Sequence, residues 1–79
     1  MRAKDAYRLI VTRGGRAPAL LADAARVDHV EVVEIDSGEA VLLWDVQPAA
    51  ASRLARALRA DINRCSAEEF IARWATVES

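Results

Sequence analysis

Residues 29–46 read HVEVVEIDSGEAVLLWDV. Two runs rich in β-branched and large apolar residues flank the turn Asp36-Ser37-Gly38-Glu39. That pattern specifies a β-hairpin, with Gly38 available for the positive φ that a tight reversal needs. The first run, residues 29–36, alternates apolar and polar until Val32-Val33, where the period slips. Either both faces of the strand are partly covered there, or the strand carries a bulge. In the second run, residues 40–46, Ala40, Leu42, Trp44 and Val46 share one face and Val41 and Leu43 the other. A strand apolar on both sides is expected in the middle of a sheet.

Upstream, residues 6–13 (AYRLIVTR) alternate as a further strand. Tyr7, Leu9 and Val11 point one way, Arg8, Ile10 and Thr12 the other. Gly14-Gly15 ends it. Residues 17–27 (APALLADAARV) predict a short helix, with Pro18 in the first turn, where its missing N–H costs nothing. Leu20, Ala24 and Val27 form its stripe, with Leu21 beside it.

Downstream, residues 48–62 predict the longest helix. Ala51, Leu54, Ala55, Leu58 and Ile62 fall within an arc of about 100°. Arg53, Arg56, Arg59 and Arg64 occupy the opposite arc, and Asn63 is a candidate left-handed stop. Ser66 to Glu69 is a capping box that opens a last helix over 66–77. Cys65 and Phe70 take the two positions of a hydrophobic staple. Phe70, Ile71, Trp74 and Val77 are its apolar stripe.

The expected order is β-α-β-β-α-α, one α+β domain spanning residues 1–79. A β-α-β crossover is right-handed, and the hairpin then inserts strand three between strands one and two. The resulting three-stranded sheet of order 1-3-2, with helices packed on it, resembles a ferredoxin-like half-sandwich lacking its fourth strand. The resemblance is one of fold only.

Composition narrows the function. The 79 residues carry a net charge of -1, 53% hydrophobic and 29% charged residues. That is globular composition, with no overall field to draw the chain onto nucleic acid or an anionic membrane. No apolar run approaches the roughly 20 residues of a membrane span. The N-terminal apolar run, Leu9 to Val11, is too short for a signal peptide. A lone cysteine, Cys65, gives no intrachain disulfide, so a cytoplasmic location is expected. Ten arginines against one lysine and seventeen alanines fit a GC-rich, bacterial coding sequence, so single arginines carry little weight. Charge is nevertheless segregated. Residues 1–16 hold five basic and one acidic side chain, and residues 23–45 hold seven acidic and one basic. Residues 53–64 are basic again.

These features predict a non-catalytic protein-interaction module. With two helices on one sheet face, the other face presents Ile10, Val41 and Leu43, plus either two valines of the second strand or Val33 and Ile35. The expected interaction surface is Ile10, Val33, Ile35, Val41 and Leu43. An apolar patch of this kind calls for cover: the last helix, a second copy giving a homodimer, or another protein partner. A free edge on strand one would also accept a partner's strand. The alternative is a small-molecule or anion sensor. In it, Arg13, Gly14, Gly15 and Arg16 hold a phosphate or carboxylate at a helix N-terminus, although the loop lacks the spacing of a dinucleotide or P-loop motif.

Other candidates are weaker. His29 with Asp28 or Cys65 would be a minimal base and nucleophile, but the Cys65 position already serves the staple. No catalytic residues are therefore assigned. Glu31, Glu34, Asp36, Glu39 and Asp45 match no cation-wrapping loop, so no metal and no cofactor are expected. The arginine arc lacks interleaved aromatics. A helix-turn-helix from 48–62 and 66–77 would put Glu68 and Glu69 against the groove. Nucleic acid is disfavoured on both counts. Trp44 and Trp74 read as core.

Overall fold

The computed structural model describes residues 1–13 and 27–77. In chain order its elements are α1 (Ala3–Ala6), β1 (Tyr7–Thr12), β2 (Asp28–Glu34), β3 (Ala40–Val46), α2 (Pro48–Arg64) and α3 (Ala67–Trp74). The expected helix over 17–27 lies outside the described residues except for Val27, which is exposed and belongs to no helix.

The fold is α+β with a three-stranded antiparallel sheet, but the strand order is β1-β2-β3. β1 runs antiparallel to β2 with Tyr7 opposite Glu34 and Thr12 opposite His29. β2 runs antiparallel to β3 with Asp28 opposite Val46. This corrects the 1-3-2 order and the ferredoxin-like half-sandwich, both of which need β1 and β2 parallel with β3 between them. β1 and β2 are antiparallel neighbours, so the rule for a right-handed crossover between parallel strands does not apply to them. The central strand is β2, whose Val30 and Val32 are fully buried. β3, apolar on both sides, is an edge strand, and its outward Val41 and Leu43 stay exposed.

The slip at Val32-Val33 is a true register shift. Val32 faces Leu42 while Val33 faces Ala40, which leaves Val41 as the extra residue. A bulge lets β3 bend without losing the inward placement of Leu42 and Trp44. The hairpin turns as expected: Gly38 has φ 74°, its N–H donates to Glu34 O at 2.8 Å, and Glu34 N–H donates to Glu39 O at 2.8 Å.

Both described long helices pack on the same sheet face. Val30, Val32 and Trp44 meet Ala51, Leu58 and Ile62 of α2, Phe70 and Trp74 of α3, and Ala3 and Cys65. Trp44 and Trp74 meet edge to face with ring centroids 5.9 Å apart, a geometry that adds about 1 kcal/mol to the burial itself. Tyr7 and Phe70 lie 5.6 Å apart.

The helix ends follow local chemistry. Pro48 opens α2 in the first turn. The helix runs past Asn63 to Arg64 and stops where Cys65 turns extended, with its N–H still donating to Asp61 O. Asn63 is therefore not a left-handed stop; among the described residues no residue other than glycine has positive φ. The capping box at Ser66 and Glu69 is present in both directions, at 3.1 Å each. α3 is shorter than its pattern suggested, and Val77 lies beyond it, exposed. The N-terminus is tied to this corner. Ala3 N–H donates to Cys65 O at 3.1 Å and Ala67 N–H to Met1 O at 2.8 Å. Among the described residues no helix is long and apolar enough to cross a membrane.

Candidate functional site: the outer face of the sheet

With both helices on the inner face, alternation sends Arg8, Ile10 and Thr12 of β1 outward. His29, Glu31 and Val33 of β2 join them, as do Val41, Leu43 and Asp45 of β3. The register arranges them in rows. Thr12, His29 and Asp45 form one row; Ile10, Glu31 and Leu43 the next; Arg8 and Val33 the third, with Ile35 just beyond.

Four of the five residues expected to make the interaction surface are well exposed: Ile10 39%, Ile35 44%, Val41 42% and Leu43 52%. Val33 is half-buried. They lie on one continuous face, and neither α2 nor α3 covers them. Arg8, Ile10, Val33, Glu34, Ile35 and Gly38 line a depression of about 180 Å³. Leu43 stands at the far edge of the same face, on β3. One face therefore carries both a shallow apolar hole and an apolar knob.

The polar groups of the face are arranged as cross-strand pairs. His29 Nδ1 hydrogen-bonds Asp45 Oδ1, both groups half exposed. Glu31 sits between Ile10 and Leu43 in the register, so anything covering this patch must supply it with a cation or a donor. Among the described residues of this face, Arg8 is the arginine.

The other candidates separate in space. His29 is on the outer face, Asp28 is buried on the inner face and Cys65 lies in the core cluster, so the three do not converge. Cys65 packs where the staple places it, in one cluster with Phe70. Among the described residues no group of three or more His, Cys, Asp or Glu is placed to hold a metal ion. Of the proposed anion loop only Arg13 is described, and it is exposed; Gly14, Gly15 and Arg16 lie outside the described residues.

One buried polar centre was missed by the sequence. Asp61, 6% exposed, accepts from Arg64 Nε at 2.8 Å, Trp74 Nε1 at 2.9 Å and Arg73 Nη1 at 3.4 Å. Burial pushes its carboxyl up, but the bonds from Trp74 and Arg64 and the two guanidinium charges outweigh it, so the pKa is lowered. This cluster pins α2 to α3 and is structural.

Comparison with known proteins gives no match, whether to a family model, a curated protein or a solved structure.

Proposed function

We propose that the chain is a non-catalytic protein-interaction module whose docking surface is the outer face of the sheet, with a second copy of itself as occupant. The observation that carries this reading is the pairing, on one face, of the Ile10–Val33–Ile35 depression with the exposed knob Leu43. A surface that holds both hole and knob is self-complementary, as a two-fold interface requires. The polar pattern agrees. Glu31, within the patch, needs a cation, and a second copy brings Arg8 on the same face. Three strands of this length cover only about 20 × 14 Å, well below the ~800 Å² per partner of a standard interface. The reading is therefore of a weak, concentration-dependent dimer.

Leu43→Asp tests it. Leu43 is 52% exposed, so its replacement leaves the fold intact while placing a charge in the interface. Size-exclusion mass and circular dichroism are expected to show a monomer with unchanged secondary structure. Unfolding of the variant would make Leu43 an ordinary core residue, and an unchanged dimer would place the interface elsewhere; either result removes the proposal.

A further inference from the structure

A second concave feature lies on the opposite side of the sheet, where β1 ends, β2 begins and α2 passes over them. Val11, Arg13, Asp28, Ala51, Ser52, Ala55, Arg56 and Arg59 enclose a cleft of about 300 Å³. We propose that this cleft binds a small phosphate-bearing molecule through Arg13, Arg56 and Arg59. The inference is independent of self-association, because none of these side chains belongs to the outer face.

The geometry follows from residue spacing. Ser52, Arg56 and Arg59 stand at i, i+4 and i+7, so they share one flank of α2. Ala51 and Ala55 face the sheet and are buried. Their small size leaves room at this end of the helix, whereas Leu58 and Ile62 fill the other end. Val11 points inward on β1, and Arg13, just past the end of the strand, lines the same space.

Charge carries the argument further. Arg64 and Arg73 are engaged by Asp61, and Arg2 Nη2 donates to Asn63 O. Among the described residues, Arg13, Arg56 and Arg59 make no ion pair. Three guanidiniums around one cleft repel one another. Asp28 forms part of the buried wall of the cleft, and the three guanidiniums make its opening positive. A phosphate monoester carries about two negative charges near neutral pH, and the guanidinium fork fits its oxygens bidentately. The Ser52 hydroxyl adds a donor, and Val11, Ala51 and Ala55 give apolar walls for a small organic portion. A volume of about 300 Å³ is at the lower end for small-molecule sites, which favours a ligand the size of a sugar phosphate over an extended polymer.

The test is isothermal titration calorimetry with ribose 5-phosphate. Ribose serves as the uncharged control and inorganic phosphate as the competitor. Each titration is repeated on Leu43→Asp, so that the result does not depend on association. One saturable site is expected, silent to ribose and competed by phosphate. Arg56→Ala and Arg59→Ala should each weaken it about tenfold or more. Arg53→Ala, on the same helix but outside the cleft, should leave it unchanged. All three arginines are exposed, so these variants keep the fold. Absence of saturable binding by either phosphate compound overturns the proposal, as does binding that Arg53→Ala weakens as much as Arg56→Ala. Binding of a DNA duplex that Arg56→Ala abolishes, with neither small phosphate saturating, also overturns it.

Discussion

Asp61 shows how a buried charge is kept. Its carboxylate has three donors, from Trp74, Arg64 and Arg73. Removing it strands the Trp74 indole N–H in a buried setting and frees two guanidiniums. Asp61→Ala is therefore expected to cost about 3 kcal/mol, read as a lower urea midpoint at unchanged slope; a loss no larger than that of a surface alanine would show the carboxylate to be solvated. The same residue shapes the acid response. Folding lowers the pKa of Asp61 below its ordinary 3.8, against the cost of burial. It lowers that of Glu69 below 4.5 through the Ser66 backbone and side-chain bonds of the capping box. A carboxyl depressed on folding stabilises fully above its unfolded value and loses that contribution as pH falls through the folded value. Stability should thus be flat above about pH 5 and decline below pH 4. In Asp61→Ala the decline, followed by thermal melting, should be shallower; an identical acid limb would show that Asp61 does not titrate with folding. Asp61 escaped the sequence reading because it flanks the apolar stripe of α2, three residues beyond Leu58, and a search for apolar periodicity passes over it.

At the level of elements, local chemistry was readable and pairing was not. β3 has the bounds its alternation predicts, Gly38 has the positive φ its turn predicts, and the Ser66–Glu69 box forms as written. Ser66→Ala should accordingly cost about 1 kcal/mol of stability. Gly38→Ala should cost about 1–2 kcal/mol from the left-handed backbone alone, since a Cβ there meets nothing within 4 Å. Chemical denaturation checks both; a neutral Gly38→Ala would mean that the turn relaxes to negative φ. Strand order failed because two-sided hydrophobicity reports that both faces repel water, not that both edges are paired. β3 has that pattern yet pairs only with β2, and its outer residues are exposed. α1 has four residues, too few to show a period. Asn63 failed as a stop because the chain leaves α2 through an extended Cys65, which lets the Cys65 carbonyl accept from Ala3.

For the whole molecule, the two surfaces differ in how far they could be read ahead. Alternation put Ile10, Val41 and Leu43 on one side, but the slip at Val32-Val33 left the second strand's outward residues open until the register set Val33 in line with Arg8. The cleft was not legible. Arg13 and Asp28 become neighbours only because β1 lies directly beside β2, and the expected order would have put a strand between them. The segregated charge takes its meaning from the same order, as β1, with Arg8, pairs directly with the acidic β2. The outer face is proposed to join two copies. Light scattering over a range of protein concentrations, at low and high salt, tests it most directly. The predicted result is a mass that rises from one chain towards two with concentration, more steeply at low salt, where Arg8 and Glu31 attract across the interface. A mass of one chain at every concentration and both salts would contradict it.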